Sequence, residues 1–313
     1  MSVAFVFPGQ GSQSLGMMAA LAGISPVVQA TFAEASAVLG YDLWDLCQNG
    51  PEELLNSTER TQPAMLAAGV ATYRLWQERG GAVPDAVAGH SLGEFSAAVV
   101  AGCLEFKDAV ALVKFRGEAM QAALPAGQGA MAAVLGLEDA DVEAACRESA
   151  AGEVVETANF NSPGQVVIAG HATAVQRAIE AAKARGAKRA LLLPVSAPCH
   201  SSLMTGAAEQ LRQRLAQLQV NPTTTIAVYG VDVRTHKSAD EIRAALVKQL
   251  ASAVYWSATI RTMIAAGFNQ FVECGPGKVL TGLNRRIDKN RDLKMVALED
   301  PASFDDALNI VKR

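Results

Sequence analysis

The stretch Gly89-His90-Ser91-Leu92-Gly93 constrains the fold of this chain more than any other. It follows the short apolar run Ala86-Val87-Ala88 and precedes Glu94-Phe95-Ser96-Ala97-Ala98-Val99-Val100-Ala101, which reads as a helix. A strand that enters a helix through Gly-x-Ser-x-Gly turns so sharply that the flanking positions have no room for side chains. The serine then stands at the end of a sheet, backed by the free N–H groups of a helix N-terminus. Two readings fit Ser91, an exposed nucleophile or a serine in a polar turn, and the strand before it and helix after it favour a nucleophile for acyl chemistry.

A nucleophile elbow needs a parallel sheet with helices around it, and the rest of the chain supplies that pattern. Val3-Ala4-Phe5-Val6-Phe7 reads as a buried strand that stops at the glycine turn Pro8-Gly9-Gln10-Gly11-Ser12-Gln13, with helical character from Gly16 to Leu21. Gly9, Gly11 and Gly16 have neither dinucleotide-fingerprint nor Walker spacing, which argues against a phosphate loop. Helical patterns at about 26–39, 51–56, 62–79 and 106–123, with strand-like runs between them, predict an α/β core. From Gly129 the rhythm becomes strand (130–135), helix (140–149), strand (154–160), strand (165–170), helix (172–185), strand (189–193). That βαββαβ order is the ferredoxin-like signature. The chain then returns to helix (202–218), strand (225–229), helices (239–251 and 257–266) and strand (270–274). The expected architecture is a hydrolase-like parallel-sheet core, residues 1–127 and 197–313, with a ferredoxin-like subdomain, residues 128–196, inserted into it. A site is expected in the cleft between the two.

Composition narrows the function classes. With 50% hydrophobic and 19% charged residues and a formal charge of -4, the chain reads as globular, and it lacks the concentrated basic surface of a nucleic-acid binder. Cys47, Cys103, Cys146, Cys199 and Cys274 are scattered without a C-x-x-C pair, which points to reduced thiols in a cytoplasmic protein and away from zinc. The N-terminal residues lack a basic n-region, and no apolar run reaches membrane-spanning length, so neither a signal peptide nor a membrane span is expected.

A serine hydroxyl needs a base, and four histidines are available. His90 adjoins Ser91, so an extended backbone would point it to the opposite face. His171 and His236 read as surface residues. His200, in Pro194-Val195-Ser196-Ala197-Pro198-Cys199-His200-Ser201-Ser202, lies where the chain re-enters the core and fits either a base or a structural histidine. Arg116 shares a helix face with Ala109, Val113 and Met120. A cation there needs an anion, supplied by a structural salt bridge or by a substrate carboxylate. Lys183, Arg185, Lys188 and Arg189, and separately Lys278, Arg285, Arg286, Lys289 and Arg291, form basic stretches that read as solvated faces or as a dock for an acidic protein.

Taken together, Phe7-Pro8-Gly9-Gln10-Gly11-Ser12-Gln13, Gly89-His90-Ser91-Leu92-Gly93-Glu94, Arg116, Asn159-Phe160-Asn161-Ser162-Pro163-Gly164-Gln165, His200, Gln249 and Gly275-Pro276-Gly277 resemble the malonyl-CoA:acyl carrier protein transacylases of bacterial fatty acid synthesis. The resemblance spans the chain, keeps the motif order, and is closest to the stand-alone enzymes. It implies ping-pong transfer through a malonyl ester on Ser91, with His200 as base and acid and a carbonyl of Gln249 orienting His200. It also implies an oxyanion hole from the N–H groups of Gln10 and Leu92, Arg116 on the malonyl carboxylate, and Gln62 and His90 lining the site. The implied partners are malonyl-CoA, a coenzyme A thioester acting as substrate, and acyl carrier protein; no permanently bound cofactor or metal is implied. The contrast of the basic stretches with the acidic net charge makes Lys188, Arg189, Arg285 and Arg286 the expected dock for that carrier. The chain departs from the family at Tyr229-Gly230-Val231-Asp232, where an asparagine is common, and at Cys199, where a small hydroxyl residue is common. Rival readings are a transacylase serving malonate decarboxylase or polyketide synthesis, a serine hydrolase of acyl thioesters, and a non-catalytic carrier-binding module.

Overall fold

The computed structural model describes residues 2–195 and 197–311. Met1, Ser196, Lys312 and Arg313, which fall at the edges of the expected divisions, lie outside the described residues. Ten strands form two sheets. The larger has the order β10-β9-β1-β2-β7-β8, from β1 (Ser2–Phe7), β2 (Ala86–Gly89), β7 (Ile226–Tyr229), β8 (Arg234–Thr235), β9 (Phe268–Glu273) and β10 (Lys294–Ala297). All its pairings are parallel except the short β7–β8 ribbon.

The central strand β1 is buried on both faces, which is why it is apolar from Val3 to Phe7 instead of alternating. Its side chains alternate between two separate cores. Val3, Phe5 and Phe7 join the cluster under helix Thr58–Glu78, where Phe5 meets Trp76 and Tyr73 edge-on at ring-centroid distances of 5.4 and 5.9 Å. Ala4 and Val6 face the opposite way, onto Trp256, Ile260 and Met263 of helix Trp256–Ala265.

The smaller sheet is antiparallel, in the order β4-β5-β3-β6, from β3 (Gly129–Leu135), β4 (Val155–Ser162), β5 (Gln165–His171) and β6 (Arg189–Leu192). Helices Asp139–Ser149 and Ala172–Ala184 cover one face of it, giving the expected βαββαβ unit. Main-chain bonds tie β4 to the large sheet's side of the molecule: Phe160 N–H donates to Val254 O, and Val254 N–H to Ala158 O, each at 2.9 Å.

Several local expectations change. Between β1 and β3 the described residues contain one strand, β2, where strand-like runs between several helices were expected. The intervening helices pack on one another, so their apolar runs are helix cores. Helix Thr58–Glu78 starts four residues before Gln62 and carries Pro63 inside it, although Pro63 reads as a first-turn signal. Helices Leu43–Asn49 and Pro301–Ile310 and strands β8 and β10 have no counterpart in the sequence reading. They are short, and β8 and β10 lie at the sheet's two edges, where the continuous apolar pattern is weakest. No described helix is long and apolar enough to cross a membrane.

Candidate active site

β1 and β2 both end at a cavity of about 380 Å³. The sheet's strand order reverses about β1, so the cavity opens at the carboxyl ends of strands beside a topological switch point. The small sheet supplies the facing wall through Met131, Ala133, Asn159, Asn161, Gln165 and Val167.

The elbow between β2 and helix Gly93–Val100 has the tight geometry its glycines imply. A Cβ on Gly89 would sit 2.0 Å from Glu94 N, and one on Gly93 would sit 2.0 Å from Phe7 O, so neither position accepts a side chain. Ser91 is held at φ 52° and His200 at φ 62°, a left-handed conformation that costs a non-glycine residue about 1 kcal/mol or more. Both strained residues face the same cavity.

Ser91 Oγ lies 2.7 Å from His200 Nε2. His200 Nδ1 lies 2.7 Å from the main-chain oxygen of Gln249, an acceptor only, so Nδ1 carries the hydrogen and Nε2 presents a lone pair to the serine hydroxyl. Burial, and then the nearby Arg116 cation, lower the His200 pKa to about 3, which keeps the imidazole neutral at neutral pH. Among the described residues the N–H groups of Gln10 and Leu92 meet no protein acceptor, and both residues line the cavity beside Ser91.

Arg116 is 1% exposed on helix Phe106–Ala122 and forms no salt bridge among the described residues. Its Nη1 donates to Gln62 Oε1 at 2.8 Å, and its Nη2 to Gln249 Oε1 at 3.0 Å and to Ser91 Oγ at 3.3 Å. Nε–H is buried without a partner. Burial lowers the guanidinium pKa to about 10, so it remains a cation held by amides, with donor capacity left at the serine. Gln62 meets Met120 Sδ through its amide nitrogen at 3.2 Å.

His90 lines this cavity instead of pointing away from it, because the left-handed turn at Ser91 breaks the alternation of an extended strand. Its Nε2 lies 2.7 Å from Asn161 Oδ1. His171 and His236 stand elsewhere, His171 accepting from Val154 N–H and His236 beside Asp232. Cys199 lines the cavity with its thiol pushed up to about 11 by burial. The five cysteines are free and buried. No cluster of metal-binding side chains occurs among the described residues.

Sequence reasoning left open which carbonyl of Gln249 meets His200, which is the main-chain one, and assigned no role to Glu94. The Gln249 amide donates to Ser91 O at 3.0 Å and to Glu94 Oε2 at 2.9 Å. Glu94 Oε1 accepts from Gly230 N–H at 2.7 Å, a main-chain contact that needs no side chain at position 230. Glu94 in the motif Gly-His-Ser-Leu-Gly-Glu was the available signal, an acidic residue one turn beyond the serine on a helix face with no solvent.

The basic residues separate by position. Arg286 donates to Gln165 Oε1 at 2.8 Å, and Gln165 lines the cavity, so Arg286 stands at its mouth. Arg189 pairs with Leu135, which pairs with Gln165, so Arg189 lies on the same level of the small sheet, next to Lys188. Arg285 turns to Met295 O at 3.0 Å.

A family model described as an acyl transferase domain matches residues 4–298. The chain is 55% identical, over 98% of its length and 99% of the relative's, to a malonyl CoA-acyl carrier protein transacylase of Escherichia coli strain K12. It is 44% identical to the protein of that name from Bacillus subtilis, over 99% of this chain and 97% of the relative. Among solved structures, the transacylase of Coxiella burnetii superposes with a TM-score of 0.98 at 46% identity, covering 100% of this chain and 98% of that one. A malonyl-transacylase solved in complex with a type II polyketide acyl-carrier protein superposes with a TM-score of 0.97 at 52% identity, covering 99% of this chain and 100% of that one.

Proposed function

The chain belongs to the acyl transferase family, and we infer that it moves malonyl groups from malonyl-CoA to acyl carrier protein for fatty acid synthesis. The observation that carries this reading is the placement of a buried Arg116 cation, in direct contact with no carboxylate among the described residues, 3.3 Å from a serine oxygen that also meets a neutral histidine. A simple esterase has no use for a cation there, whereas an acyl group ending in a carboxylate has.

In the first half-reaction Ser91 Oγ attacks the thioester carbonyl while its proton passes to His200 Nε2. The charge developing on the carbonyl oxygen is met by the N–H groups of Gln10 and Leu92. The C–S bond breaks, the sulfur takes the proton from His200, and coenzyme A leaves. In the second, His200 takes the proton of the carrier's phosphopantetheine thiol, the thiolate attacks the malonyl ester, and Ser91 regains its proton. Gln249 O holds the imidazole tautomer throughout, a neutral counterpart of the orienting carboxylate in a triad. Arg116 holds the free carboxylate, with Gln62 and His90 completing the pocket. No permanently bound cofactor enters this scheme.

The core of residues 1–127 and 197–313 carries the chemistry, and the subdomain of residues 128–196 closes the cavity. Lys188, Arg189, Arg285 and Arg286 form the carrier dock. Five scattered, buried cysteines without a C-x-x-C pair support a cytoplasmic location. The similarity to a transacylase solved with a type II polyketide carrier favours a second reading of the carrier alone, a polyketide protein in place of the fatty acid one.

Intact mass after brief exposure to malonyl-CoA tests the proposal. The expected result is a malonyl adduct absent in Ser91→Ala and discharged by acyl carrier protein. Free malonate accumulating in place of carrier transfer would make the protein a hydrolase, and absence of any adduct would overturn the reading.

A further inference from the structure

One buried carboxylate has no part in the scheme above. Glu94, 2% exposed, sits in the first turn of helix Gly93–Val100 and gives its two oxygens to different donors, Gly230 N–H at 2.7 Å and Gln249 Nε2 at 2.9 Å. Burial pushes this carboxyl up to about 8, against the lowering influence of Gly230, Gln249 and Arg116. Both oxygens accept in the observed geometry, an arrangement the ionised form satisfies above that value.

Gln249 is fully buried and touches the serine, the histidine and the arginine. Its main chain accepts from His200, its amide nitrogen donates to Ser91 O and Glu94, and its amide oxygen accepts from Arg116. A primary amide of this shape fits its pocket in two ways that exchange oxygen for nitrogen. A carboxylate accepts only, so with Glu94 ionised the nitrogen faces Glu94 and the oxygen is left for Arg116. A neutral group at position 94 removes that rule. The amide can then turn over, which sets its NH₂ against the guanidinium, donor against donor, and gives up the bond to Ser91 O.

We propose that Glu94 is a positioning residue for the acyl-carboxylate clamp, fixing which end of the Gln249 amide faces Arg116 and thereby holding the guanidinium beside Ser91. This rests on Arg116 acting as the clamp. When ionised, Glu94 also favours the charged form of Arg116 at a distance, after the larger influence of Cys199 and against the lowering effect of burial.

The test is a double-mutant cycle of Glu94→Gln and Gln249→Leu, read as kcat/KM for acylation of Ser91 by malonyl-CoA and by acetyl-CoA, at a pH above the Glu94 value. Glu94→Gln is expected to lower the malonyl-to-acetyl ratio by about tenfold or more, the scale of a buried charged contact losing its geometry. Gln249→Leu should lower the ratio similarly, and the double variant should fall no further than Gln249→Leu alone. An equal loss on both substrates in Glu94→Gln, an unchanged ratio, or a further drop in the double variant would overturn the proposal. Should Glu94→Gln fail to fold, Gln249→Leu decides alone, because an unchanged ratio there removes the relay. Wild-type protein measured in parallel separates the two claims, since absence of its malonyl adduct defeats the functional reading and not the relay.

Discussion

The floor of the cavity and its rim are built on different physical terms. At the floor, Ser91, His200, Arg116 and Gln249 come from four distant parts of the chain, three of them buried and Ser91 half-buried, and they hold one another through hydrogen bonds of about 3 Å. At the rim, Arg286, Arg189 and Lys188 stand in solvent on the edge of the small sheet and the helix beside it. Low dielectric makes the floor's charges strong and intolerant of loss, whereas solvent and salt weaken those at the rim. On the proposed function, the floor would set the chemistry and the choice of acyl group, and the rim the rate of carrier encounter.

Removing the nucleophile gives the largest effect that this contrast predicts. Ser91→Ala should lower acyl transfer by roughly 10⁴- to 10⁶-fold, the range found when a serine nucleophile is deleted from a unit that acts together. A variant retaining more than a few per cent of wild-type turnover would place the nucleophile elsewhere. Stopped assays with both malonyl-CoA and acetyl-CoA provide the measurement.

Arg116→Ala should come next. Truncating one partner of a buried charge pair costs about 2–5 kcal/mol, so malonyl transfer should fall tens-fold to thousands-fold while acetyl transfer is relatively spared. Equal losses on both acyl groups would break the floor's claim to selectivity and return Arg116 to a structural role.

The pH dependence sharpens the same point. A base is active when deprotonated, so activity persists above its pKa and is lost as pH falls through it. Burial and Arg116 lower the His200 value from 6.5 to about 3, and kcat/KM with acetyl-CoA, which has no carboxyl to titrate, should stay level as pH falls past 6.5. Arg116→Gln removes the second cause and should raise the acid limb, with about a tenfold loss for each unit below it. A limb near 6.5 in the wild-type protein would show an imidazole in contact with water.

The floor was legible in the sequence as residue types and illegible as a network. Gly-x-Ser-x-Gly gave the elbow because steric exclusion at Gly89 and Gly93 leaves no alternative residue, and that constraint is local. The ferredoxin-like unit was legible from its alternation of periods. His90 was misplaced on residue-level reasoning because the left-handed φ of Ser91 redirects the neighbouring side chain, and no propensity reports that strain. The role of the Gln249 amide depends on Glu94, Arg116 and Ser91 meeting across the fold, which no spacing along the chain encodes. Helix Pro301–Ile310, with Pro301 in its first turn and an Asp300–Ser303 capping box, carried a readable start signal that the sequence reading did not use.

The smallest effect belongs to the rim. Arg286 reaches the cavity only through Gln165, and exposed charge pairs contribute about 0–1 kcal/mol, so Arg286→Gln should raise the KM for acyl carrier protein severalfold at low salt. Adding Arg189→Gln should increase that effect, since the β5–β3–β6 pairing puts both cations on one level of the sheet. The change should shrink as added salt shortens the screening length, and acylation of Ser91 by malonyl-CoA should respond less than carrier transfer does. A KM for the carrier that ignores both substitutions at low ionic strength would remove these residues from the dock. The partner's acidic surface would then have to meet the molecule away from the Gln165 side of the mouth.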